Sequence, residues 1–199
     1  MAPGVLTPEA SHVDYEHAMG EWGKEAEPSD LDTVDIHKAD ELTTMGAKTF
    51  VGTGLGKDGM PSTYGGAVKP DRNIIGMYSG VKGKSKDFML TALANGGNKL
   101  DAYAVDNASG EPDTLAHIYH KTGFEPVARV KFDPAYAKPG FEQRQGGGKD
   151  IVFYKHNGDT PGQVAAKYGT YPPPTKAQYD ELPVMGYDEA AKYRDSLIK

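Results

Sequence analysis

Cysteine is absent from this 199-residue sequence, which excludes disulfides, thiol nucleophiles and cysteine-ligated zinc. No run of about 18 apolar residues occurs, so no membrane-spanning helix is expected. The opening MAPGVLTPEASH has neither a basic n-region nor an apolar h-region, so no signal peptide is expected either. Apolar residues make up only 38% of the chain, against 25 glycines and 14 prolines. That is low for one fold of this length, and part of the chain is expected to lack a core of its own. Tryptophan occurs once, at Trp22. No internal repeat is present.

Charge is abundant but uneven. Residues 1–47 carry eleven acids against Lys24 and Lys38, which leaves 17 acids against 20 bases in the remainder. An acidic arm on a mildly basic body is not designed to seek nucleic acid. It reads either as a solvated linker or as an arm that docks on a basic partner, with Trp22 as a packing anchor or an interface anchor. Among the histidines, His12 and His17 miss the i, i+4 spacing, and His117 and His120 share a helical face without a third ligand in reach. No metal site is assigned.

The most informative stretch runs from Asn73 to Phe124. Ile74 to Tyr78 is a short apolar run suited to a buried strand. Phe88, Met89, Ala92 and Leu93 then place an apolar stripe on a helix, which Asn95-Gly96-Gly97 terminates. Leu100 to Val105 supplies another strand, and Leu115, Ile118 and Tyr119 mark a helix ending at Gly123. This order predicts a parallel pair, 74–79 with 100–105, joined by a right-handed crossover. Between the first strand and its helix lies Gly80-Val81-Lys82-Gly83-Lys84-Ser85, a loop with two glycines and two lysines. Backbone amides at a helix N-terminus favour an anion, and a diphosphate is the natural guest. Gly83-Lys84-Ser85 ends like a Walker A loop, but that motif would need glycine where Tyr78 stands, and the loop carries no Rossmann glycine pattern.

Strands are also predicted near 48–53, 62–68, 126–132 and 151–156, and helices near 86–95 and 113–122. The loop from Asp133 to Lys149 reads as a substrate lid or as a disordered insert. Beyond Asn157 prolines interrupt the chain, short helices are expected near 162–168 and 187–198, and the tyrosine-rich tail looks adhesive rather than catalytic.

Tyr119-His120-Lys121-Thr122-Gly123-Phe124, followed by Glu125-Pro126-Val127-Ala128-Arg129, resembles the Y-x-x-x-G-F signature of the GNAT N-acetyltransferase superfamily. The loop at 80–85 falls where those enzymes keep a Q/R-x-x-G-x-G/A pyrophosphate loop. Gly83 matches the first glycine and Ser85 the second small residue, while Gly80 stands where Gln or Arg is usual. Gly96-Gly97-Asn98-Lys99-Leu100-Asp101-Ala102-Tyr103 and Ile151-Val152-Phe153-Tyr154-Lys155 are similar to patterns in GNAT-like proteins carried by bacteriophages and prophages.

The resemblance implies an α/β (α+β) fold, with a GNAT-like mixed central sheet over 46–158 flanked by helices. The acidic arm 1–45 and the Pro/Tyr-rich arm 159–199 would extend from it and bury little. It implies an N-acyltransferase that binds acetyl-CoA through Ser79, Gly80, Val81, Lys82, Gly83, Lys84 and Ser85. A backbone N–H near Ser79 or Gly80 would polarise the thioester carbonyl, and Tyr119 would protonate the leaving thiolate. Asp101, Tyr103 and Asp106 stand open as the base, and the acceptor would be a small amine or a protein. The alternative is a non-catalytic virion-associated protein, structural or ejected, that keeps the fold and docks through its arms. The expected location is the host cytoplasm or the virion.

Overall fold

The computed structural model describes residues 6–198. Residues 1–5, which belong to the opening read as lacking a leader, lie outside the described residues. From the amino end the elements are β1 (Glu9–Ala10), α1 (His12–Glu25), α2 (Pro28–Asp32), α3 (Ala39–Met45), β2 (Lys48–Leu55) and β3 (Pro61–Val68). Next come β4 (Ile74–Ser79), α4 (Ser85–Ala94), β5 (Lys99–Asp106), α5 (Thr114–Lys121) and β6 (Phe124–Val130). The rest are α6 (Phe141–Gln145), β7 (Lys149–His156), α7 (Pro161–Lys167), α8 (Lys176–Asp180) and α9 (Tyr187–Ser196). The α+β class holds, but the single mixed sheet does not. One antiparallel sheet runs β1-β2-β3-β4 and another runs β5-β7-β6. The predicted parallel pairing of 74–79 with 100–105 is therefore corrected, because β4 pairs with β3 and β5 pairs with β7. Alternation along a strand sets which face is buried but does not choose the partner, and here β7 supplies β5 with an antiparallel ladder.

The chain divides into two units, residues 1–98 with 160–166, and residues 99–159 with 167–199. In the first, α1 covers the four-stranded sheet. Ser11 caps it, its Oγ accepting from the Asp14 amide at 3.1 Å. Tyr15, Ala18, Met19 and Trp22 recur at i, i+3, i+4, i+7, and all four are buried with Leu42, Ala47, Ala67 and Tyr78. The Tyr15 hydroxyl donates to the Gly76 carbonyl at 2.6 Å, and the Trp22 and Tyr78 rings lie 5.2 Å apart. On α4, Phe88 packs so close to β3 that any side chain at Gly66 would run into its ring. The expectation that residues 1–45 bury little is thus overturned. Trp22 is a packing anchor within its own unit.

In the second unit α9 lies on the three-stranded sheet, where Ala190 joins Ala128 and Phe153 in the core. Residues 183–185 run along the outer edge of β6, with the Arg129 amide donating to Pro183 O (3.0 Å) and the Met185 amide to Arg129 O (3.1 Å). Tyr179 of α8 is fully buried, its hydroxyl 2.8 Å from that of Tyr154 and 3.2 Å from His120 Nε2. The tail is structural, which corrects the reading of 159–199 as an arm that buries little. The loop before β7 also folds back, since Phe141 is buried with its ring 5.0 Å from Tyr103 and stacked 5.2 Å from Phe132. It is not a disordered insert. Among the described residues no helix is long and apolar enough to cross a membrane.

A fully buried carboxylate sits inside this unit. Asp150 is fully buried and accepts from Arg129 Nε (2.6 Å), Lys131 Nζ (3.1 Å) and the Phe132 amide (2.9 Å). Burial pushes its carboxyl up, but the Phe132 amide and the two cations outweigh burial and hold it below the usual aspartate range.

Two outcomes are expected. Trp22→Ala should cost about 3–5 kcal/mol in chemical denaturation, the usual cost of emptying a large aromatic site, whereas a solvated arm would lose almost nothing. Because the folded Asp150 titrates below its unfolded value, its contribution is complete above the ordinary aspartate range and is lost as pH falls through the lowered one. Asp150→Asn should destabilise the protein by about 3–5 kcal/mol at pH 7 and flatten the acid limb of the stability–pH curve. Unchanged acid sensitivity in that variant would assign the limb to other carboxylates.

Candidate functional site

The residues that the sequence singled out fall into both units, and each set is described in its own unit. The loop belongs to the first. Gly80 donates its amide to the Thr63 carbonyl of β3 at 2.9 Å, which makes Thr63 and Gly80 a hydrogen-bonded antiparallel pair. Ser79, opposite Tyr64, is consequently in a non-bonded pair, and its N–H points away from β3 along the outer edge of β4, the last strand of its sheet. The two candidate carbonyl-polarising amides are thereby separated. Gly80's is consumed by the ladder, and Ser79's lies on the open edge. The Ser79 hydroxyl closes the turn that follows, donating to Val81 O at 2.8 Å and accepting from the Val81 amide at 3.3 Å.

Val81 is buried, with its side chain against Gly54 of β2. Lys82 and Gly83 are exposed, and Gly83 has φ +79° with open space where a side chain would begin. The helix α4 then starts at Ser85 with Lys84 as its cap and no side-chain hydrogen bond to the cap position. Its first-turn amides accordingly lack the usual Ser, Thr or Asp acceptor. Lys84 is not available as a free charge. Its Nζ lies 2.7 Å from Asp87 Oδ2, and that hydrogen bond pushes the lysine up from its ordinary value. Three lysines and one aspartate occupy 82–87, so the loop stays positive while Asp87 takes part of the helix N-terminus for itself.

Gly80 departs from the Gln or Arg of the resembled pattern for a steric reason. A side chain there would run into Ser62 Oγ and approach Trp22. Ser79 and Gly80 also form one wall of a cleft of about 240 Å³. Four carboxylates line it, those of Glu25, Glu27, Asp30 and Asp58, against Lys57 alone. Glu25, Glu27 and Asp30 belong to the segment read as an arm, and Asp58 to the turn after β2. The clustering of the first three beside Trp22 in the sequence was the available signal for the cleft. The letters G-x-G-x-x-G do occur in the chain, at Gly54 to Gly59, but they close the β2–β3 hairpin, with the Gly56 amide on Met60 O at 2.7 Å. No helix follows them, so they are a turn.

Comparison with family models, with curated proteins and with solved structures finds no match to this chain.

In the second unit Tyr119 lies in the last turn of α5 and is buried, its ring 5.2 Å from Tyr154 and 6.5 Å from Phe124. Burial, reinforced by Asp113 and Asp101, pushes its phenol well above the ordinary value, so the hydroxyl keeps its proton through the physiological range. The three residues open as a base are already engaged. Asp101 accepts from the Tyr187 hydroxyl at 2.8 Å, and Asp106 Oδ1 caps a turn through the amides of Ala108 (2.7 Å) and Ser109 (3.2 Å). Tyr103 packs on Phe141. Burial lowers the imidazole of His120, and the ring hydrogen-bonds to Tyr179, which makes it part of the core rather than a ligand.

The steric reading of Gly80 is testable. Gly80→Ala should destabilise the protein by about 1–3 kcal/mol, as overpacked sites do. Ser62→Ala, which removes the atom it meets, should recover part of that loss in a double-mutant cycle. Additive effects would show that Ser62 is not the obstacle.

Proposed function

We propose that the chain is an acyl-CoA-dependent N-acyltransferase of phage origin, working in the host cytoplasm or the virion, with the acyl group passed to a small amine or a protein. One arrangement carries the reading. An outward-facing Ser79 N–H on a sheet edge leads within six residues into a glycine loop and the uncapped start of α4. The fit to the cofactor is specific to certain residues. The amides of Gly83 and of the residues from Ser85, with Lys82 exposed beside them, suit a diphosphate, which needs donors and positive charge. The Lys84 amide is given to Val81 O at 3.4 Å. Gly80 does not serve as the carbonyl donor, because its amide is spent on Thr63. Ser79 is the donor that remains.

The bound cofactor would supply an activated thioester. Ser79 N–H would donate to its carbonyl oxygen, where negative charge develops on attack. Tyr119, whose role comes from the resemblance, holds a proton at Oη against the pull of neutral pH. The placement of β4 and β5 in separate sheets, where the resemblance expects one parallel pair, counts against this reading.

A second reading, a non-catalytic virion protein, draws on two observations. Lys84 is neutralised by Asp87, and each base candidate is held in a structural contact. Docking through free arms is not part of it, since both terminal segments are packed into their own units.

Calorimetry with acetyl-CoA, and CoA release with a panel of amines, separate the two readings. Gly83→Glu meets open space, so it should lower stability by only about 1 kcal/mol while abolishing acetyl-CoA binding through like charge. Tyr119→Phe should leave binding intact and reduce turnover by about 10²-fold or more. Wild-type protein that binds no acetyl-CoA at millimolar concentration would overturn the acyltransferase and leave the second reading.

A further inference from the structure

The second unit holds a cavity of about 730 Å³ that the acyltransferase reading does not use. That volume is within the range that takes a drug-sized ligand. Its walls come from β5, the end of β6, the loop after it, and the segment leading into α9. Val184 and Met185 form an apolar side, held in place by the two hydrogen bonds that fasten 183–185 to Arg129. Three tyrosines line it from three separate segments, Tyr103, Tyr136 and Tyr187. Two of the rings are held in place. Tyr103 lies against Phe141 at 5.0 Å, and the Tyr187 hydroxyl is bound to Asp101 at 2.8 Å while its ring meets Phe153 at 5.0 Å. Tyr136 is 87% exposed at the rim, an unusual setting for a ring of that size.

The charges along the same walls do not balance. Lys131 is the only base, and its Nζ is already 3.1 Å from the buried Asp150 carboxylate. Asp133 and Asp188 also line the cavity, and neither has an ion-pair partner among the described residues. Asp133 uses one oxygen, Oδ1, to accept from the Ala135 amide at 2.9 Å. The wall therefore combines apolar volume, three aromatic rings and two carboxylates without a counter-charge. An anion would be repelled, and a neutral apolar molecule would gain nothing from the carboxylates. An ammonium group with an apolar body answers all three features, because ring faces and carboxylates both attract a cation.

We infer that this cavity is a binding site for an organic cation with an apolar body, of the arylalkylammonium class, formed by Tyr103, Tyr136 and Tyr187 with Asp133 and Asp188. The site is independent of acyl transfer and of the loop at 79–85.

Calorimetric titration of the full chain tests it with three probes of similar shape, phenethylammonium, 2-phenylethanol and 3-phenylpropionate. The cation should bind saturably and about tenfold or more tighter than the alcohol, with the carboxylate weakest. Asp133→Asn with Asp188→Asn alters two exposed side chains, so the melting transition should stay while the preference for the cation falls to about twofold or less. Tyr136→Leu keeps apolar bulk at the rim but removes the ring, and should weaken the cation about threefold or more with little change for the alcohol. Equal binding of cation and alcohol, or a preference that survives the double Asn variant, would overturn the assignment. So would the absence of saturable cation binding at about 10 mM, the weak limit for such ligands.

Discussion

A sheet of three or four strands stays folded only when its apolar face is covered. In this chain the terminal segments supply the cover. The amphipathic α1 lays Tyr15, Met19 and Trp22 on the four-stranded sheet, and α9 lays Ala190 on the three-stranded one. They share the task with α4, whose Phe88 meets β3 at Gly66, and α5, whose Tyr119 meets Tyr154 of β7. Four of the acids that make the amino-terminal segment look like a solvated linker, Asp14, Glu16, Glu21 and Glu25, occupy exposed positions of the helix that closes a core. Strong net charge and a working apolar stripe coexist because a helix needs only one face in four positions per two turns to be buried.

The polar interior of the second unit follows the same economy. Asp150 lies at the start of β7 with no exposure, and the cost of removing it from water is met by an amide and two cations from β6 and the residues just beyond it. A buried carboxylate of this kind is weak as a source of stability compared with an apolar pair, but leaving it unpaired would be severe. It ties the start of β7 to the end of β6 and holds the Phe132 amide where the following loop begins. That loop then brings Phe141 onto Tyr103 and shapes one wall of the cavity.

At the loop after β4, local electrostatics cut both ways. A helix start without a side-chain cap attracts an anion, yet Asp87 in the same first turn already answers part of that field and ties up Lys84. The backbone is more decisive than the side chains. Antiparallel alternation assigns the Gly80 amide to β3 and the Ser79 amide to the edge, so a shift of one residue in register would exchange their roles.

By itself the sequence determined the local elements whose causes are local. The apolar runs of β2 to β7, the stripe of α4, the glycine stops after α4 and α5, and the short helices α7 and α9 were all legible within a residue or two, because periodicity and capping act over a few positions. The α1 stripe was equally legible at Tyr15, Ala18, Met19 and Trp22, but acidic composition obscured it. The tertiary structure alone decided strand partners, since alternation is the same for a parallel and an antiparallel neighbour. It also decided which amide of Ser79 and Gly80 faces outward, why Gly80 must lack a side chain, and that tyrosines 103, 136 and 187, separated by up to 84 positions in sequence, line one cavity. Such features depend on contacts between distant segments, and no window of sequence contains them.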